Sequence, residues 1–266
     1  ISDVISISEP DVYYQISLLR RKKTIDEFEA RKLINSSTHF FFKGIDWDIT
    51  KLLVIKFRSP VIKIHRDISN TLPNSKNLFV YRNAEDVIQS FDRILGYPYT
   101  KKRWLLRLPL LSRLYKAKSP LYYSKWTDLD DQYNNFIKNG SPHDIVNYLG
   151  PCGIFLLEWL SKVNSYLELK EYKSDMLALR YEDLVTNPRE IIRGIFDYCG
   201  ISYSEIENAC NALKKDAQAG TNLARNPTPR YKLDKKDRME IDIAIKRYTE
   251  FSGSDVVLPG TINKLS

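Results

Sequence analysis

The segment Leu72-Pro-Asn-Ser-Lys-Asn-Leu-Phe-Val-Tyr-Arg-Asn-Ala-Glu-Asp-Val-Ile-Gln-Ser90 joins a short apolar run to a polar continuation with helical character. The run at residues 77–81 is typical of a strand buried on both faces of a parallel sheet. Arg82 ends this run, and residues 84–95 place apolar side chains at helical spacing. The segment therefore predicts a strand, a basic residue at its carboxyl end and a helix.

Further strand patterns lie on both sides of this segment. Residues 52–57 form an almost continuous apolar run, and residues 60–70 can form a helix after it. The order of strand, helix and strand across residues 52–81 describes a βαβ unit. Other strands are predicted at residues 3–8 and 176–180. This alternation predicts an α/β fold, with a parallel sheet flanked by helices.

Three more helices are predicted at residues 25–34, 150–169 and 188–198. Thr24-Ile-Asp-Glu27 has the spacing of a capping box, in which the hydroxyl and the carboxylate bind free amides at a helix start. Gly200 suits the left-handed position after the last of these helices. Trp159 shares one helical face with apolar neighbours, which predicts core packing rather than ligand binding.

The chain of 266 residues is long enough to bury one large core, and its composition of 43% apolar and 28% charged residues is that of a folded globular protein. We predict a single domain over residues 1–266. Residues 99–148 are rich in aromatic and basic side chains and predict a helical insertion, and residues 226–266 predict a C-terminal extension with a helix. Every apolar run is far shorter than the ~20 residues that span a bilayer.

The charge balance points toward anionic ligands. Lysine and arginine outnumber the acidic residues by 41 to 33, which gives a net charge of +8. This charge favours polyanions or phosphorylated small molecules without choosing between nucleic acid and nucleotide. Cys152, Cys199 and Cys210 show no metal-ligand spacing, so we expect three small apolar side chains and no metal site.

The end of the strand at residues 77–81 is the first candidate ligand site. Ligands of open α/β sheets bind beyond the carboxyl ends of the strands. Arg82 lies at that point, and Ser90 follows eight residues later on the predicted helix. A guanidinium, a hydroxyl and the amides of a helix start can bind one phosphate together.

Two segments of the chain resemble a known family. The segment 72–90 resembles the 3′-phosphate-binding segment of sulfotransferases that use 3′-phosphoadenosine 5′-phosphosulfate (PAPS), and Arg180-Tyr-Glu-Asp-Leu-Val-Thr-Asn-Pro-Arg189 resembles the family's second signature. Both occur in the family's order, and each precedes a helix. The resemblance implies the sulfotransferase variant of the P-loop nucleotide-binding architecture, with PAPS as co-substrate, adenosine 3′,5′-bisphosphate as product and no metal.

The same resemblance assigns residues to the nucleotide. It implies that Arg82 and Ser90 hold the 3′-phosphate and that Tyr181 lies at the purine. Lys56 and Arg58 end a predicted strand, where cations can stabilise the leaving phosphate or the sulfuryl oxygens. Arg225 lies where family members return a basic loop to the nucleotide, although its surroundings lack the Arg-Lys-Gly pattern of the cytosolic enzymes.

The sequence departs from the family pattern at the loop that binds the 5′-phosphosulfate. Neither GxxxxGK[ST] nor a shorter relative occurs in the sequence. Residues 3–10 resemble the strand and turn that come just after the loop in the family, and the chain begins with Ile1 rather than Met. We expect the loop upstream of Ile1, and we expect a protein without it to be inactive.

Two residues are candidates for the general base that sulfuryl transfer needs. Glu9 matches the position of the catalytic glutamate in tyrosylprotein-type sulfotransferases. His65 is the rival, because Ile62-Lys-Ile-His65 resembles the Lys-x-His of the cytosolic enzymes. That triplet closes a strand in the family, and alignment of the strand ends puts Arg58 at the histidine position. We therefore rank Glu9 first and His65 second.

Other functions remain open at this point. A non-catalytic nucleotide-binding protein of the same fold is one alternative, and a small-molecule P-loop kinase, which needs a lysine-bearing loop and Mg²⁺ ligands, is another. No recognition-helix or zinc pattern favours nucleic acid. The resemblance implies a hydroxyl or amine acceptor on a small molecule or glycan, and we expect residues 99–148 to form its wall; the identity of the acceptor is open. The oligomeric state is open. The compartment is also open, with the cytoplasm favoured over a Golgi lumen reached through an upstream signal or anchor.

Overall fold

The structure is a computed structural model that describes residues 4–46, 52–95, 133–215 and 233–262. Its strands are β1 (Val4–Ser8), β2 (Leu52–Lys56), β3 (Leu78–Tyr81) and β4 (Leu177–Arg180). Its α-helices are α1 (Asp11–Arg21), α2 (Glu27–Phe41), α3 (His65–Thr71), α4 (Ala84–Leu95), α5 (Pro142–Leu149), α6 (Pro151–Glu171), α7 (Tyr181–Thr186), α8 (Pro188–Cys199), α9 (Ile206–Leu213) and α10 (Lys235–Tyr248). Short 3₁₀ helices cover Ser59–Ile64, Asn134–Phe136 and Tyr203–Glu205. Most of the insertion predicted at 99–148 lies outside the described residues.

The strands form two parallel pairs. β1 pairs with β2 from Val4↔Leu52 to Ser8↔Lys56, and α1 and α2 form the crossover between them. β3 pairs with β4 from Leu78↔Leu177 to Tyr81↔Arg180. Within the four described ranges β2 does not pair with β3, so the βαβ unit predicted across residues 52–81 is not observed there. The connection between β2 and β3 is long enough for a parallel crossover, but each of the two strands pairs instead with a partner outside residues 52–81.

The C-terminal segment completes the β3–β4 pair. Ala178 donates its N–H to the carbonyl of Gly260 and accepts from the N–H of Ile262, at 3.1 and 2.9 Å, so this segment runs parallel to β4. The Tyr81 hydroxyl lies 3.0 Å from the Thr261 hydroxyl in the interior. The predicted C-terminal extension thus contributes α10 and part of the core around the site.

The main core surrounds α6. Leu156, Leu157, Leu160 and Tyr166 of this helix are almost completely buried against α4, α5 and the strands β3 and β4. A second cluster, formed by α1, α2 and the 3₁₀ turn before α3, covers the other strand pair. Val54 and Val80, inside β2 and β3, remain 39% and 55% exposed. Among the described residues, helices therefore cover one face of the β1–β2 pair, whereas α6 and α8 pack on opposite faces of the β3–β4 pair, where Ala178 and its neighbour Leu179 are both buried. The predicted sheet flanked on both faces is thus seen only in part.

The start of α2 differs from the predicted capping box. Asp26, not Thr24, is the N-cap: its carboxylate accepts from the N–H of Glu29 at 2.8 Å, and the Glu29 carboxylate accepts from the N–H of Asp26 at 3.0 Å. The N–H of Thr24 donates to Leu19, because this residue still closes α1. Two overlapping capping patterns occur in this stretch, and the end of the preceding helix selects the second. The glycine predicted after α8 is confirmed, since Gly200 has φ 69°.

Candidate functional site

Arg82 and Tyr181 meet at the carboxyl ends of β3 and β4. The register pairs Tyr81 with Arg180, so the next residue of each strand lies beside the other. The Arg82 guanidinium carbon lies 3.7 Å from the centroid of the Tyr181 ring, within the range of a cation–π contact. Two residues that the sequence connects only through the family resemblance are therefore in direct contact.

The turn between β3 and α4 holds Arg82 in place. The indole Nε1–H of Trp159 donates to the Arg82 carbonyl at 2.8 Å, and Trp159 is only 5% exposed. Asn83 caps α4, because its Oδ1 accepts from the N–H of Asp86 at 2.8 Å. The N–H of Ala84 donates to the carbonyl of Ser254 at 3.0 Å. Two amides at the start of α4 are thus already used, which leaves side chains as the main donors for an anion.

Ser90 lies farther along α4 and is half-buried. Among the described residues no hydrogen bond joins Ser90 to Arg82, so their convergence on one phosphate stays a prediction. Both side chains belong to the same strand–helix unit.

A group of charged side chains surrounds the end of β4. The Glu182 Oε1 accepts from both the backbone N–H and the side-chain amide of Asn83, each at 3.0 Å. The Arg180 guanidinium contacts Asp183 at 3.2 Å, Glu182 at 3.7 Å and, through Nη2, Asp255. Burial alone would lower the pKa of Arg180, but these carboxylates raise it above its ordinary value. The acidic side chains thus tie the two strand ends and the C-terminal segment together.

A second cluster lies at the carboxyl ends of β1 and β2. Lys56 Nζ is 2.9 Å from Glu9 Oε1, and Arg58 Nε is 3.9 Å from Glu9 Oε2. Arg58 also contacts Asp11 at 3.0 Å. Glu9 has φ 53°, which is uncommon for a residue other than glycine, and its N–H donates to the carbonyl of Lys56. The structure thus brings together three candidates that the sequence places on two separate segments.

These ion pairs leave the Glu9 carboxylate accessible. The side chains of Glu9, Lys56 and Arg58 are each well exposed to solvent. Exposed pairs of this kind contribute about 0–1 kcal/mol, so a substrate can displace them at little cost. The cluster can accept a proton at its carboxylate and stabilise negative charge with its two cations.

His65 lies in the interior rather than at a strand end. It is the first residue of α3, only 5% of its surface is exposed, and its Nε2 lies 3.2 Å from the Ser69 hydroxyl. Burial lowers the pKa of His65, against a smaller opposite effect of Asp175. This environment favours a neutral, packed imidazole. It supports the ranking of Glu9 above His65, which remains a prediction.

The buried His65 should make stability depend on pH. Because burial lowers its pKa, the folded protein binds this proton less well than the unfolded chain, whose histidine titrates near 6.5. The free energy of unfolding should therefore fall as the pH drops below that value, by at most about 1.4 kcal/mol per pH unit from this group. Urea unfolding at one pH above and one pH below 6.5 measures the change in the free energy of unfolding. In His65→Gln, the free energy of unfolding should differ less between the two pH values. An unchanged pH dependence in this variant would contradict its assignment to His65.

The remaining predictions concern Arg225, metal binding, membrane-spanning helices and the cysteines. Arg225 lies outside the described residues. Within the described ranges, no group of three or more His, Cys, Asp or Glu side chains could hold a metal ion. No helix in that part of the chain is long and apolar enough to cross a membrane. Cys152 is buried, Cys199 and Cys210 are half-buried, and none of the three forms a disulfide.

Trp159 and Glu182 are site residues that sequence reasoning missed. Trp159 packs in the core as predicted, but its indole also binds the carbonyl of Arg82. Glu182 follows Tyr181 directly in the second signature, and this adjacency was the available signal. Neither hydrogen bond could be read from spacing, because each partner lies on a distant segment.

Parallel strand pairs joined through helices define an α/β protein, and the charged and aromatic side chains at the carboxyl ends of the strands form its candidate ligand site. The sulfotransferase domain family matches residues 57–242, more than half of the chain. The chain belongs to this family, which confirms the resemblance and implies a P-loop-like α/β fold and a sulfotransfer activity. The matched region includes Arg82 and Tyr181 but neither Glu9 nor Lys56. No curated protein and no solved structure matches the chain.

Proposed function

We propose that the protein transfers a sulfuryl group from PAPS to a hydroxyl or amine acceptor. The observation that carries this proposal is the contact between Arg82 and Tyr181 at the ends of two paired parallel strands. A guanidinium and an aromatic ring side by side match the 3′-phosphate and the purine of one nucleotide.

In this proposal the nucleotide lies against β3, β4 and α4. Arg82 binds the 3′-phosphate through charge-assisted hydrogen bonds, and the Ser90 hydroxyl adds a donor. Tyr181 faces the adenine and also supports the guanidinium. Arg225 contributes a further cation to the phosphates. The guanidinium is held in place before the ligand arrives, which lowers the entropy cost of binding.

The acceptor reacts at the Glu9 cluster. Glu9 removes the proton from the acceptor hydroxyl or amine as the new bond to sulfur forms. The bond between sulfur and the bridging oxygen breaks at the same time, and the electron pair leaves with adenosine 3′,5′-bisphosphate. Lys56 and Arg58 stabilise the charge that develops on the leaving phosphate. His65 remains the second candidate base.

Calorimetric titration of the full-length protein with adenosine 3′,5′-bisphosphate tests the proposal, with ATP and AMP as controls. We expect the bisphosphate to bind more tightly than either control, because only it offers a 3′-phosphate to Arg82. A preference for ATP would contradict the proposal and favour a small-molecule kinase. Selective binding without turnover of PAPS would favour the non-catalytic nucleotide-binding alternative.

A further inference from the structure

One peptide unit in the turn after β3 is held from both sides. Its carbonyl belongs to Arg82 and accepts from the indole of Trp159 at 2.8 Å. Its N–H belongs to Asn83 and donates to Glu182 Oε1 at 3.0 Å. The plane of a peptide is rigid, so two hydrogen bonds at its opposite edges fix its orientation. That orientation sets the direction in which the Arg82 side chain leaves the backbone.

Glu182 makes a second bond in the same turn. Its Oε1 also accepts from the Asn83 side-chain amide at 3.0 Å, and the other end of that amide caps α4. Glu182 follows Tyr181 in the chain, so one residue links the turn that carries Arg82 to the segment that carries Tyr181. The Glu182 side chain thus joins the two halves of the proposed nucleotide site.

The ion pair with Arg180 is a separate and weaker role of Glu182. Glu182 Oε2 and Arg180 Nε are 3.7 Å apart, and both atoms are buried with no hydrogen-bond partner. Arg180 keeps Asp183 and Asp255 as partners without Glu182. Loss of Glu182 should therefore affect the turn at Asn83 more than the charge balance at Arg180.

We propose that Glu182 is a positioning residue that sets selectivity for the 3′-phosphate by fixing the Arg82–Asn83 peptide. The inference rests on the proposed function, since it assumes that Arg82 binds that phosphate. It assigns Glu182 no contact with the nucleotide. Substitution of Glu182 should therefore change the affinity only for ligands that carry the 3′-phosphate.

The test compares the affinities of adenosine 3′,5′-bisphosphate and AMP in three variants of the full-length protein. Glu182→Ala should reduce the ratio of the two affinities by about 3–10-fold, the effect of losing one or two hydrogen bonds, with AMP binding unchanged. Glu182→Gln should keep most of the ratio, because its amide oxygen can still accept from Asn83. Asp183→Asn is the matched control: it removes one charge beside Arg180 without contact to Asn83, and it should leave the ratio unchanged.

The outcomes separate this inference from the proposed function. Suppose that the wild type prefers the bisphosphate. A Glu182→Ala variant that keeps the full affinity ratio, or that loses affinity equally for both nucleotides, would then overturn the positioning role alone. An equal loss of the ratio in the Asp183→Asn control would also overturn it, because the charge around Arg180 would then be the cause. A wild-type protein that does not distinguish the two nucleotides would overturn the proposed function and this inference with it.

Discussion

Arg82→Ala is expected to weaken binding of adenosine 3′,5′-bisphosphate by about 1.5–3 kcal/mol, roughly 10–150-fold, the contribution of hydrogen bonds to a charged group. The variant removes the guanidinium that lies 3.7 Å from the Tyr181 ring and leaves the backbone bonds of the turn in place. Calorimetry with the bisphosphate measures the loss. AMP should bind as in the wild type, because it has no 3′-phosphate to lose.

Companion variants identify the source of that loss. Arg82→Lys keeps the charge without the planar fork, so its affinity should fall between those of the wild type and the Ala variant. Ser90→Ala should cost less, about 0.5–1.5 kcal/mol for one hydrogen bond. Arg189→Ala is the matched control, since Arg189 is exposed and contacts Glu207 on the surface. Unchanged affinity in both Arg82→Ala and Ser90→Ala would contradict the placement of the 3′-phosphate.

Glu9→Gln is expected to lower the turnover of PAPS-dependent sulfation by about 10²–10⁴-fold, the usual contribution of a general base. Glutamine preserves the size of the side chain but cannot take the acceptor's proton at neutral pH. Affinity for adenosine 3′,5′-bisphosphate should change little, because Glu9 follows β1, whereas Arg82 follows β3 in the other strand pair. Steady-state rates in the full-length protein, with the best acceptor from a screen of alcohols, phenols, amines and glycans, measure the effect.

Two further variants make this prediction specific. Asp11→Asn is the matched control, because Asp11 also contacts Arg58 but does not contact Lys56, and its turnover should stay close to that of the wild type. His65→Gln tests the rival base. A large loss of turnover in His65→Gln, with its thermal unfolding unchanged and Glu9→Gln fully active, would assign the base to His65 instead.

Local pattern was enough to find most elements of the fold. The strands at 52–57, 77–81 and 176–180 were predicted to within one residue of β2, β3 and β4, because short apolar runs have few other stable environments. The helix after β3 was predicted with its observed bounds. The helix predicted at 60–70 is instead a 3₁₀ turn followed by α3. Strand pairing was not predictable, because it depends on contacts between segments far apart in the chain.

In the candidate site too, the sequence identified residues, whereas the structure was needed to find their contacts. Arg82 and Tyr181 were found because each ends a strand and lies in a segment that resembles the family. Their contact at 3.7 Å follows from the parallel register of β3 and β4. The roles of Trp159 and Glu182 were missed, since a hydrogen bond to a distant backbone atom leaves no local pattern.

The amino-acid sequence by itself determined the α/β class, the family, and which residues follow each strand. It did so because burial and helix formation depend on neighbours a few positions away. Only the tertiary structure decided that Glu9 lies beside Lys56 and Arg58, that His65 is buried, and that Glu182 holds the turn after Arg82. Those facts depend on strand register and on packing between remote segments, which the sequence specifies only through the folded chain as a whole.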